Sequence, residues 1–186
     1  MQIVNKYLLI FICVSALTLT SCGFKLRSAA NLPPQLHTIY LESQSPYSLV
    51  TRMLRDNLHY SGIKLVEHAD LAPITFCIIS ENLSASQASV GSQMRDYLTT
   101  YYVTYAVKNA KGKTLVGPKT VATQRTVTVL ANEILENSNK LIEAKNSMIN
   151  EIIEDIIFQL NSDETKKSLK NAKALASKIR PSVRAD

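Results

Sequence analysis

The sequence predicts an α+β fold: a two-layer sandwich of two helices packed on a mostly antiparallel four-stranded sheet, in the order β-α-β-β-β-α. Three observations carry this prediction. Two Thr-, Val- and Tyr-rich segments, 97–108 and 113–130, flank the glycine-containing turn Asn109-Ala-Lys-Gly-Lys113, which is the pattern of a β-hairpin. From Leu141 the apolar residues change to helical spacing through Ala144, Met148, Ile149, Ile152, Ile153, Ile156, Ile157 and Leu160, with Glu143, Lys145, Glu151, Glu154 and Asp155 on the other face. Between Tyr47 and Tyr60, Leu49, Val50, Met53, Leu54 and Leu58 fall mainly on one helical face, away from Arg52, Arg55 and Asp56. Each helix has one apolar stripe and the strands need one covered face, so stacking both helices on the sheet buries all of them.

The chain opens with Lys6 and an apolar run, Tyr7 to Leu19, that reads as the n- and h-regions of a secretory signal over residues 1–21. This run of about thirteen residues is shorter than the roughly 20 a membrane-spanning helix needs. Leu19-Thr20-Ser21-Cys22 resembles the lipobox of bacterial lipoproteins, in which the cysteine thiol is alkylated by diacylglycerol; cysteine is required because a thiolate is the nucleophile. The alternative is an ordinary signal with an incidental cysteine. Gly23, in place of the Asp that marks inner-membrane retention, favours outer-membrane sorting with the domain on the periplasmic side. Cys13 leaves with the signal and Cys22 is acylated, so Cys77 stands alone and reads as a small buried hydrophobe.

Residues 22–36 form a polar, proline-ended tether, and 37–161 a single α+β domain, a length suited to one core. Thr38-Ile-Tyr-Leu41 is the first strand. Ser45 and Pro46 read as N-cap and N1 of the first helix, and Gly62 as its C′ residue. Ile63-Lys-Leu-Val66 leads to a second strand, Ile74 to Ile79. The stretch Ser84 to Met94 reads as a loop before the third strand. The last helix begins near Asn132 or is capped within Asn137-Ser138-Asn139. Residues 162–186 hold seven Lys or Arg against three Asp or Glu, whereas 22–161 hold thirteen against twelve. This basic stretch lacks a strong apolar face and reads as a frayed or disordered tail.

Within the hairpin one alternating set, Leu98, Thr100, Tyr102, Thr104, Ala106 and Lys108 with Thr120, Ala122, Gln124, Thr126, Thr128 and Leu130, is the more polar one, rich in Thr and almost uncharged. A water-facing sheet usually carries Lys, Glu and Arg, so enclosure by something larger is one reading. The other is that Thr and Tyr simply suit surface strands.

No catalytic signature is present: there is no G-x-S-x-G, P-loop, G-x-G-x-x-G or H-E-x-x-H. His37, His59 and His68 share no metal-ligand spacing, and no cofactor is indicated. An enzyme is not expected. The basic tail lacks the interleaved aromatics of a nucleic-acid binder, and export places it away from cytoplasmic DNA and RNA; its cations suit anionic lipid or lipopolysaccharide phosphates better.

Taken together, Cys22-Gly-Phe-Lys-Leu-Arg27, Leu32-Pro33, the short strand, the Ser45-Pro46 helix with Arg52 and Arg55 ending at Gly62, and the Arg125 strand before an acidic amphipathic helix resemble the lipopolysaccharide-assembly lipoprotein family LptE. The resemblance covers roughly Cys22 to Leu160, and the C-G-F-x-L-R start is its most specific part. It implies a non-enzymatic subunit of the outer-membrane lipopolysaccharide translocon, seated as a plug in the β-barrel LptD, helping it assemble and contacting lipopolysaccharide. That would place the Thr/Tyr face inside a barrel lumen. Family contacts to lipopolysaccharide involve a basic residue before the third strand and another near the start of the last helix. At shifted positions here these become Arg95 and Lys140. Arg125 matches the family pattern and equally fits a structural pairing. Two other functions compete: a free-standing periplasm-facing binding lipoprotein, such as a chaperone or inhibitor, and an unrecognised hydrolase that would need His37 or His68 beside an activated Ser or Thr.

Overall fold

The computed structural model describes residues 32–178, so the expected signal, the expected anchor Cys22, most of the expected tether and residues 179–186 lie outside it. The strands are β1 (Thr38–Ser43), β2 (Lys64–Val66), β3 (Ile74–Val90), β4 (Met94–Asn109) and β5 (Thr114–Leu130). The helices are α1 (Leu49–Tyr60), α2 (Asn139–Leu160) and α3 (Asp163–Lys178). All five strands form one sheet in the order β2-β1-β3-β4-β5.

The α+β class stands, with corrections to the strand and helix count and to the order. The sheet has five strands rather than four, because Lys64–Val66 adds to β1 in parallel through Thr38↔Lys64, Ile39↔Leu65 and Tyr40↔Val66. Three residues are too few to show a period, so only the partner strand makes this segment a strand. Both pairings of β1 are parallel, while β3–β4 and β4–β5 are long antiparallel ladders. A second correction lengthens β3 through the expected loop to Val90, pairing Ser84 with Thr100 and Ser86 with Leu98. The true turn is Gly91 to Gln93, closed by Gly91 N–H donating to the Met94 carbonyl at 2.8 Å.

Helix α1 begins three residues later than the Ser45-Pro46 signal indicated. Ser48 is its N-cap, its hydroxyl accepting from Thr51 N–H at 3.2 Å. The Ser45 carbonyl is already taken by Ser48 N–H and by the buried Thr51 hydroxyl, so Pro46 sits in a turn ahead of the helix. At the other end Gly62 has φ +77°; Gly62 N–H donates to the His59 carbonyl and Ile63 N–H to that of Leu58. This double closure is a Schellman motif, and buried Leu58 and Ile63 are its apolar pair. Helix α2 starts at Asn139, with the Ser138 hydroxyl accepting from Lys140 N–H at 3.2 Å.

Helix α2 lies across β5 and β4 and also packs on α1. Its Met148, Ile149, Ile152, Ile153, Ile156 and Leu160 join Phe76, Ile78, Val103, Tyr105, Val107 and Val121 in one core. Each such side chain contributes roughly 1.5–3 kcal/mol when fully buried, which makes this interface the main source of stability. Phe76 and Tyr105 stack with centroids 5.3 Å apart, and the Tyr105 hydroxyl donates to Gln159 Oε1 at 2.8 Å. Burial pushes that phenol up to about 12.

The packed unit exceeds the expected 37–161 on both sides. Leu32 and Leu36, assigned to the tether, are buried in the core, as is Leu169 beyond the domain. Residues 163–178, read as tail, form α3. The Ser162 hydroxyl accepts from Thr165 N–H at 3.3 Å, and the Thr165 hydroxyl donates to the Gln159 carbonyl at 2.8 Å. Thr165 and Leu169, one turn apart, are its buried residues among the described side chains, too sparse a stripe to be legible beforehand. No helix among the described residues is long and apolar enough to cross a membrane.

Two glycines separate backbone freedom from close packing. Gly112, at φ +75°, faces open space, whereas a Cβ at Gly117, at φ +86°, would meet the Tyr105 carbonyl oxygen at 2.8 Å and Lys119 N at 2.9 Å. Gly112→Ala is therefore expected to cost about 1–2 kcal/mol from backbone strain alone. Gly117→Ala should cost clearly more, because backbone atoms must also move, a difference measurable by urea unfolding of both variants.

Candidate functional site

Covering one side of the β3–β4–β5 ladders with α2 leaves the other side to solvent. The register aligns its rows as Ser80–Thr104–Thr120, Asn82–Tyr102–Ala122, Ser84–Thr100–Gln124, Ser86–Leu98–Thr126 and Ser89–Asp96–Thr128. Asp96 is the one charge in these rows. Thr104 and Thr120 share a hydrogen bond at 2.9 Å, and Gln124 Nε2 donates to Thr100 at 3.1 Å. The Ser89 and Thr128 hydroxyls each donate to Asp96 at 2.6 Å, and they hold its carboxyl below its ordinary value of 3.8, Ser89 first. The outer half of β3 thus adds a third strand to the uncharged surface read from the hairpin. Its Ser and Ala residues lack the β-branched signature of a strand, although small residues alternating across Ser80 to Ser86 were a faint signal.

On the helix side of the same strands, Thr99 is buried with its hydroxyl on the Arg125 carbonyl at 2.7 Å. Arg125 Nη2 lies 3.2 Å from Glu151 Oε2, joining β5 to α2. The structural pairing foreseen for Arg125 is therefore present. Both side chains are about half exposed, at 45% and 49%, so the guanidinium keeps donors free for a further anion. Neighbouring Lys145 lies over the Tyr101 ring at 5.8 Å, while the Tyr101 hydroxyl donates to Glu81 at 3.0 Å.

Arg95 and Lys140 come to the same end of the molecule. Arg95 pairs in register with Val90 and Val129 at the tip of the sheet. Val129 clusters with Val127, Leu135 and Leu141, the last being the neighbour of exposed Lys140. Around them Val90, Met94, Leu130 and Ile134 are exposed at 52–66%. None of these apolar tip residues had been singled out, because isolated apolar residues at turn edges have no period. The tip therefore joins cationic and apolar side chains, with Glu133 in the turn after Leu130 and Asp96 on the face of β4 opposite Arg95.

At the opposite end buried Cys77 donates from Sγ to Glu42 Oε2 at 2.8 Å, with Lys108 Nζ 3.6 Å from the same oxygen. Cys77 is thus more than a small hydrophobe. Burial, then the Glu42 contact, push its thiol up to about 11, away from reactivity. A cleft of about 120 Å³ beside Ser43, Ser45, Ile78 and Glu81 is smaller than the roughly 300–1,000 Å³ of ligand pockets. Among the described residues no group of three or more His, Cys, Asp or Glu could hold a metal.

The family model for lipopolysaccharide-assembly LptE matches residues 36–160, more than half of the chain. The chain belongs to the LptE family. Within that family it is similar to an LPS-assembly lipoprotein LptE of Yersinia enterocolitica, 32% identical over 81 residues, covering 42% of this chain and 39% of that one. It is 39% identical over 56 residues to the LPS-assembly lipoprotein LptE of Pectobacterium atrosepticum, covering 30% of each. These matches span well under half the length of either relative. The fold is similar to the solution structure of an uncharacterized lipoprotein B from Nitrosomonas europaea, with TM-score 0.62 at 18% identity over 80% of this chain and 96% of that one. The LptE match begins after Cys22-Gly-Phe-Lys-Leu-Arg27, so membership rests on the folded domain.

A carboxyl whose folded value is depressed stabilises the structure above its unfolded value and loses that contribution as pH falls through the folded one. For Asp96 the window is therefore below about pH 4. Amide protection factors across 87–98 should fall as pH drops below this, and Asp96→Asn should flatten that acid dependence in hydrogen-exchange measurements.

Proposed function

We propose that this chain is an outer-membrane lipoprotein, held on the periplasmic side through acylated Cys22, and a non-enzymatic subunit of the lipopolysaccharide translocon. In this reading it plugs and helps assemble the large β-barrel LptD and contacts lipopolysaccharide during insertion at the cell surface. LptE membership supports the assembly role. The observation that carries the plug role is the nearly uncharged face of β3, β4 and β5, where five register rows hold Asp96 as their only charge and Lys108, paired with Glu42, lies beyond them toward the other end. Burying charge without partners costs several kcal/mol, so a face meant for enclosure avoids it. Hydroxyls and amides instead exchange hydrogen bonds with a polar barrel interior.

Arg95 and Lys140 are proposed as lipopolysaccharide contacts, with Arg125 as a further one despite its Glu151 partner. Their setting supports this, because a glycolipid presents phosphates for the cations and acyl chains for Val90, Met94, Leu130 and Ile134. The competing reading is a free-standing periplasmic binding lipoprotein, which predicts a solitary monomer.

Affinity purification of the tagged, acylated protein from outer membranes in mild detergent tests the choice. A stoichiometric large β-barrel is expected, and recovery of the monomer alone overturns the plug. Gln124→Lys with Thr126→Lys, both at exposed strand positions, should leave the melting temperature nearly unchanged while lowering barrel recovery at least tenfold. Arg95→Glu with Lys140→Glu should instead spare the barrel and weaken binding of purified lipopolysaccharide. Unchanged glycolipid affinity in that double variant would reject those contacts.

A further inference from the structure

Helix α3 lies beyond the region that matches the family, and the plug reading leaves it without a role. From Thr165 to Ala185 the chain carries seven Lys or Arg and no Asp or Glu. The acidic residues Asp163 and Glu164 are confined to the first turn, and Glu164 pairs with Lys119 at 3.3 Å. Thr165 and Leu169 hold the helix on the domain, so Lys167, Lys170 and Asn171 are exposed. This is a docked helix whose exposed Lys167 and Lys170 make no ion pair among the described residues.

Its position supplies the second observation. Lys119 pairs in register with Tyr105, only four positions from Asn109 at the base of β4 but ten from Arg95 at the tip. The base is also where the chain joins the sheet, through Leu36 and then Thr38 at the start of β1. Leu32 lies ten positions after Cys22, so an acylated Cys22 keeps this end within about 35 Å of the bilayer surface. The 16-residue helix, about 24 Å long, therefore lies at the membrane-proximal end, opposite the proposed lipopolysaccharide tip.

We infer that α3 is a second membrane contact, docking through its lysines on the anionic phospholipid headgroups of the leaflet that holds the anchor. The inference rests on the reading of Cys22 as a lipid anchor. One anchor plus a polybasic segment is a two-signal attachment, in which the tether raises the local concentration of lipid around the helix. It would fix the orientation of the domain, base down and tip away from the leaflet. Each lysine at an anionic surface is worth roughly fivefold in partitioning, so three together are worth about a hundredfold.

The chain contains no tryptophan, so Asn171→Trp in the full acylated protein makes α3 the sole indole reporter. The probes are vesicles of brominated phosphatidylcholine alone, the same lipid with phosphatidylglycerol, and the same lipid with lipopolysaccharide. Flotation is read beside quenching. Flotation with every vesicle type, and quenching with phosphatidylglycerol that 0.5 M salt removes, is the expected result. Adding Lys166→Gln, Lys167→Gln and Lys170→Gln should return quenching to the neutral-vesicle level, with circular dichroism checking that the fold is kept. Flotation without phosphatidylglycerol-dependent quenching overturns the inference and leaves the anchor standing. Quenching that appears only with lipopolysaccharide overturns the choice of occupant. Flotation with anionic vesicles alone retains the α3 contact and overturns the anchor, and flotation with none overturns both.

Discussion

The apolar stripe of α2 against the inner side of β4 and β5 is the contact from which the other features follow. Ile149, Ile152, Ile153 and Ile156 are buried against strands whose side chains alternate faces, so the residues of β4 that meet the helix are set as Thr99, Tyr101, Val103, Tyr105 and Val107. Their neighbours are then committed to the opposite side. A one-residue slip would exchange the two sets and place Thr and Gln in the core, which locks the register of the whole ladder.

That commitment separates two surfaces with different chemistry on one sheet. The outer face is broad, polar and nearly chargeless, and the carboxylate of Asp96 on it is held by two hydroxyls. The tip, where the ladders outrun the main core, is capped by a smaller cluster of Val127, Val129, Leu135 and Leu141. Cations and exposed apolar side chains meet there. A plug must fill space against a barrel wall and also handle an amphipathic glycolipid, and the proposed function assigns these tasks to face and tip. At the base Leu36 and α3 close the core, so the start of the described chain and the basic helix share one end of the molecule.

Much of this was legible in advance where the signal was periodic. The nine apolar positions from Leu141 to Leu160 repeat at helical spacing, and the hairpin strands alternate around a glycine turn, so α2, β4 and β5 emerged close to their final bounds. The Schellman closure at Gly62 was readable because only a residue tolerant of positive φ ends a helix that way. Elements without their own period were missed. β2 is three residues long, the outer half of β3 is Ser- and Ala-rich, and α3 offers two buried residues one turn apart among its described side chains.

Local sequence by itself therefore determined the class of the fold, the long helix and hairpin, and the nearly uncharged character of one strand set. Each is written in short-range spacing or side-chain chemistry. Only the tertiary structure decided that Ser80 to Ser86 join that set, that Arg125 is tied to Glu151, that Arg95 approaches the start of α2, and that a charged tail folds back as a helix. These are contacts between segments 16 to 46 or more residues apart in sequence, and no local pattern encodes a partner at that distance.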